Sequence, residues 1–164
     1  MRKLLCTVAI AASSSFVLPA IAASIKSPIV GLWKVDGYTV TDAANKVVKP
    51  MGDHPGGYVL YSKGGHIIVM TMAKDRAAPA APVPTDAEAG KLFAGMIALD
   101  GTYKLAGKNK VLVDVEDAWN PAVAMSGLPR DFKVEGKRLT VTFTAKSPMS
   151  GQNVTVAVTS MRVE

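Results

Sequence analysis

Cysteine is all but missing from this chain. The one thiol, Cys6, precedes most of an apolar run near the amino terminus, so disulfides, thiol catalysis and a cysteine metal site are excluded for everything that follows. Histidine is nearly as scarce. His54 stands in a glycine-proline loop and His66 at a strand start, and neither has metal-ligand spacing such as H-x-x-x-H, so both read as solvent-facing. Ser126 and Ser147 lack a neighbouring His and Asp pattern, and Gly64-Gly65 lacks the lysine and helix of a phosphate loop. No metal and no cofactor is expected. Beyond the first residues no apolar run reaches the ~20 residues a bilayer core demands. The lysines are scattered, without the interleaved aromatics of a nucleic-acid surface.

What is present suits one globular domain. The 164 residues are 49% apolar and 20% charged, which excludes a disordered chain and leaves room for a single sizeable core. The amino terminus stands apart from it. Arg2 and Lys3 form a positive n-region, apolar residues follow to Phe16-Val17-Leu18, and Ala20-Ile21-Ala22 supplies an A-x-A site. Residues 1–22 therefore read as a cleaved secretory signal and residues 23–164 as the domain, giving an exported protein, periplasmic or secreted. Removing Arg2 and Lys3 takes the basic residues from 19 to 17 against 13 acidic ones, so the formal net charge falls from +6 to +4. That supports a weak preference for anionic surfaces and nothing stronger.

The pattern along the chain is β. From Val30 to Val40 the apolar residues alternate, with Trp33 and Val35 on one parity and Tyr38 and Val40 on the other; Gly37 between them predicts a β-bulge and a bend. Tyr58-Val59-Leu60-Tyr61 and the run 66–72 flank a glycine turn and make a hairpin. Residues 74–84, rich in Ala and Pro, form a candidate lid or portal loop. Thr85-Asp86-Ala87-Glu88 fits a capping box, and Leu92, Phe93, Met96 and Ile97 at helical spacing predict one amphipathic helix over 86–98. Strands are predicted again at 101–106, 111–117, 130–135, 138–145 and 153–163. Eight or nine strands joined mainly by short local turns describe an antiparallel up-and-down sheet that removes its edges by closing into a barrel.

Gly31-x-Trp33 opening the first strand of such a barrel resembles a lipocalin, or more broadly the calycin group. The closer resemblance is to the bacterial and fungal lipocalin-like domain family, followed in Gly57-Tyr58-x-x-Tyr61, Gly65-x-x-x-x-Met70, Arg76, Gly101-x-Tyr103, Asn120-Pro121, Arg130 and Lys137-Arg138-Leu139. It covers nearly everything from Ile29 to Arg162, and it implies a barrel fold with an apolar-ligand cavity rather than a reaction. It also implies a structural pair, Trp33 at the closed end beneath Arg162 of the last strand. Relatives carry histidine in the strand that here reads Val111-Leu112-Val113-Asp114-Val115-Glu116; this chain has none there, so no proton-transfer role of that histidine carries over.

The leading expectation is an exported lipocalin-like protein, monomeric or homodimeric, holding a small hydrophobic or amphipathic molecule inside its barrel. Tyr58, Tyr61, Met70, Met72, Tyr103, Trp119 and Phe132 are candidates for wall and rim. Arg130 shares parity with Phe132 and Val134 and is the candidate polar anchor. Met96, Met125 and Met149 join Met70 and Met72 as a possible pliable lining, although ordinary core filling explains methionine equally well. An isomerase or cyclase using the same cavity is the alternative, with Asp114 as its weak catalytic candidate; solvent exposure of Asp114 would remove that residue. A third alternative is an envelope protein that binds through its outer surface, its barrel filled.

Overall fold

The computed structural model describes residues 24–123, 127–147 and 150–164. The leader at 1–22 and Ser126, Met125 and Met149 lie outside the described residues. Nine strands and one helix follow in chain order: β1 Gly31–Thr41, β2 Val47–Val48, β3 Gly56–Tyr61, β4 His66–Met72, α1 Asp86–Ala94, β5 Met96–Leu105, β6 Lys110–Ala118, β7 Leu128–Glu135, β8 Arg138–Lys146 and β9 Asn153–Arg162. Every pairing between neighbours is antiparallel, and the sheet closes where β1 pairs with β9 from Trp33↔Arg162 to Thr41↔Thr155. The near end of β1 also pairs with β3, from Gly31↔Tyr61 to Lys34↔Tyr58. The result is a closed barrel of eight strands, with β2 an extra ribbon on the far end of β1.

The bulge falls where the alternation slips. Val35 pairs with Ser160 and Gly37 with Thr159, so Asp36 is the inserted residue; its carboxylate accepts the Thr159 hydroxyl at 2.7 Å and faces Arg138 Nη1 at 3.2 Å. A Cβ on Gly37 would collide with Thr159 Oγ1, so a larger residue there would have to displace the hydroxyl that Asp36 accepts. The slip lets both parities of β1 face the core. Before it Trp33 and Val35 point inward and are almost wholly buried, and after it Tyr38 and Val40 pack against the same core.

The core concentrates at one end. Ile29, Trp33, Ile67, Tyr103, Val111, Val113 and Leu139 are no more than 2% exposed, and each large apolar group of this kind contributes roughly 1.5–3 kcal/mol by leaving water. Arg162 seals that end: its guanidinium lies 4.0 Å over the Trp33 ring and donates to the carbonyls of Val30 and Pro28, while Trp33 Nε1 donates to Ile29 O at 2.7 Å.

The helix is shorter than its apolar period predicts. Thr85 and Glu88 form the capping box, but the helix stops at Ala94, and Met96 and Ile97 open β5 instead. Gly95 ends it by donating to Lys91 and Phe93 carbonyls, and its own carbonyl accepts the Ala73 amide, which sets up the Met72↔Met96 pair. Strand pairing with β4 therefore wins over about one further turn of weak helix propensity.

Candidate functional site

Arg130 is the residue from which the interior is best understood. It sits on β7 between exposed Pro129 and Asp131, so strand alternation aims it inward with Phe132, and only 4% of its surface remains accessible. Its guanidinium lies 4.9 Å from the Phe143 ring centre, and its Nε and Nη2 are buried with no hydrogen-bond partner. Burial pushes its pKa below the ordinary arginine value, with Tyr61 and Tyr38 acting the other way. Arginine still holds its proton at neutral pH, so this is a buried cation.

A cavity of about 40 Å³ surrounds it, lined among others by Tyr38, Tyr61, Thr71, Phe143 and Ser160. The buried polar or charged side chains among the described residues are Thr71, Arg130 and Ser160, and all three line this chamber. No carboxylate does. Tyr61 cannot stand in as a counterion, because burial pushes its phenol up to about 12 despite the nearby guanidinium; Tyr38 is raised for the same reason. The chamber thus offers one positive charge and several neutral hydroxyls.

Tyr38 and Ile97 also line a second, larger space toward the open end, about 400 Å³ in volume. Its walls are apolar: Val40, Met51, Phe93, Met96 and Trp119 contribute, with Lys146 at the edge. Phe93 from α1 and Trp119 after β6 stand 6.2 Å apart, ring to ring, across this mouth. The volume falls in the range of roughly 300–1,000 Å³ typical of small-molecule pockets, whereas the inner chamber has room only for a head group or a few waters, each needing about 10–15 Å³.

The family model for a lipocalin-like domain matches residues 30–163. The chain belongs to the lipocalin-like domain family. No curated protein matches it significantly. In this lipocalin-like domain the candidate residues separate by place. Tyr61 and Arg130 meet at the inner chamber, and Trp119 lines the mouth with its Nε1 buried and unpartnered. Tyr103 and Phe132 are inward but belong to packed core rather than to either chamber; the Tyr103 hydroxyl donates to Ser62 O at 2.7 Å.

Three candidates for wall and rim stand outside both chambers. Tyr58 and Met70 are each 42% exposed, on the outer face with Ile68, and Met72 turns its sulfur to Arg76 Nη1 at 3.2 Å. The three methionine-strand positions 68, 70 and 72 do share a face, but the inward face of β4 is Ile67, Val69 and Thr71. The loop 74–84 lines neither chamber, and Glu88 ties it to the helix by accepting the Ala80 amide at 3.0 Å. Asp114 is exposed on β6, outside with Glu116, so the proton-transfer alternative loses its residue. Among the described residues no three His, Cys, Asp or Glu side chains gather as a metal site.

Tyr38, Thr71 and Ser160 were not anticipated. The phase slip at Gly37 carries the signal for Tyr38. Thr71 and Ser160 gave none, since a threonine or serine in a strand is ordinarily an outward residue.

Proposed function

We propose that this protein is exported and holds a small amphipathic molecule inside its barrel, head inward at Arg130 and apolar body in the space beneath Phe93 and Trp119. The observation that carries the reading is the pair of chambers sharing Tyr38 and Ile97: an apolar vestibule of ligand size leading to a small, charged inner end. Burial of apolar surface in the vestibule would supply affinity and the inner polar groups orientation. The vestibule is bordered by α1 and by Met51, and the loop 74–84 flanks the adjoining groove between those two elements, where it is placed to gate entry.

The test is binding of N-phenylnaphthylamine, a neutral apolar fluorophore, to the mature protein. Saturable enhancement is expected, with energy transfer from tryptophan, and Trp119→Phe should reduce the transfer to the share contributed by the buried Trp33 without abolishing binding. Absence of any saturable signal, together with no small molecule retained in native mass spectra of protein from its own host, would refute the reading. The same spectra test export, since a mature chain starting at Ala23 is expected.

A further inference from the structure

We infer that the inner chamber is a carboxylate site, in which Nε and Nη2 of Arg130 grip the two oxygens of a monoanionic head group. The inference rests on the binding reading above and names the ligand class. Nε–H and one Nη2–H of a guanidinium are parallel, and they form the edge that matches a planar carboxylate with two hydrogen bonds. Those are the two atoms of Arg130 left buried and without a partner. A buried unpaired cation is a large desolvation debt in any fold, and the Phe143 ring at 4.9 Å offsets only part of it. An incoming anion relieves the remainder.

Charge and volume narrow the class. The chamber lining contains Arg130 as its one charged side chain among the described residues, so a single negative charge balances it, whereas a phosphate monoester would leave excess negative charge in a dry site. The chamber volume of about 40 Å³ limits the occupant to a small head group, and the planar pair of donors rather than the volume favours a carboxylate. Thr71 and Ser160, each 1% exposed, place hydroxyls around the same space. The chain of the ligand must then run past Tyr38 and Ile97 into the apolar vestibule, which describes a monocarboxylic acid with an apolar tail.

Decanoate, decanol, decylamine and decyl phosphate, each displacing N-phenylnaphthylamine from the mature protein, separate the possibilities. Hydrogen bonds to a charged group contribute about 1.5–3 kcal/mol, so decanoate should compete at concentrations roughly ten- to a hundredfold lower than decanol, with decylamine weakest. Arg130→Met should abolish the preference, weakening decanoate by at least tenfold so that it no longer competes better than decanol. Arg130→Lys keeps a point charge without the parallel donors, and should retain only part of the preference. If Arg130→Met does not fold, the wild-type series and Arg130→Lys still decide. Equal competition by decanoate and decanol in the wild type, a preference that survives Arg130→Met, or decyl phosphate outcompeting decanoate would each overturn the carboxylate site while leaving ligand binding intact. Failure of the fluorophore and of all four compounds to bind would remove the binding reading and this inference together.

Discussion

Tyr61 shows how one side chain links packing, charge and pH. It is 2% exposed, stands edge-on to Tyr103 at 5.2 Å, and shares the inner chamber with Arg130. Its phenol is raised from 10.0 to about 12 because burial opposes the phenolate more than the guanidinium favours it. The unfolded chain therefore gives up this proton first as pH rises. Below pH 10 the group leaves stability untouched, and between pH 10 and about 12 stability drains away; Tyr38 and Tyr103, also raised, act in the same sense. Urea midpoints measured across that window should fall, and Tyr61→Phe should flatten much of the fall. An equally steep decline in Tyr61→Phe would show that other groups dominate. At this scale the sequence was partly legible: parity with Phe132 and Val134 points Arg130 inward, and the structure agrees. Which hydroxyls would gather round it was not legible, because that depends on three other strands.

At the scale of elements, periodicity succeeds where only one face is apolar and fails where both are. In β6 Val111, Val113 and Val115 alternate with Leu112, Asp114 and Glu116, and the charged parity falls outside as expected. In β4 every position from Ile67 to Met72 except Thr71 is apolar, so alternation cannot choose a face; the register with β3 and β5 does, and it turns Thr71 in and Met70 out. Helix α1 began where its capping box predicted and ended early, since Met96 and Ile97 suit a strand as well as a helix. This helix buries none of its residues fully; the half-buried Leu92 and the Phe93–Trp119 ring contact are what seat it over the mouth, and its capping box carries much of its local stability. Thr85→Ala should weaken it by about 1 kcal/mol, seen as faster amide exchange within Asp86–Ala94 with the global melting temperature unchanged. A matching drop in global stability would mean that α1 belongs to the cooperative core. Gly101 illustrates the opposite kind of legibility: it stands in the resemblance motif because its φ of +153° and the adjoining Asp114 carbonyl leave no room for a side chain at the β5–β6 bulge.

For the molecule as a whole, the number of strands and their short connections made closure the expected outcome, and β1–β9 pairing is what provides it. The two chambers could not be read in the same way. Whether an eight-stranded barrel fills itself or leaves space is a balance of side-chain volumes across all strands, with no periodicity to report it. Closure has a further consequence in chain topology. The backbone entering β1 and that leaving β9 run side by side, with Val163 N donating to Leu32 O at 2.8 Å and Leu32 N to Glu164 O at 3.3 Å. A barrel has no first stave. A circular permutant, with residues 24 and 164 joined by a flexible linker long enough to reach from the Ile25–Lys63 contact to Glu164 and the chain cut in the exposed Gly107-Lys108-Asn109 turn, should give the same far-ultraviolet spectrum and the same fluorophore affinity. If it collapses instead, the hydrogen-bonded seam is a junction that must form from continuous ends, and the order in which the staves are laid down matters as much as the ring they complete.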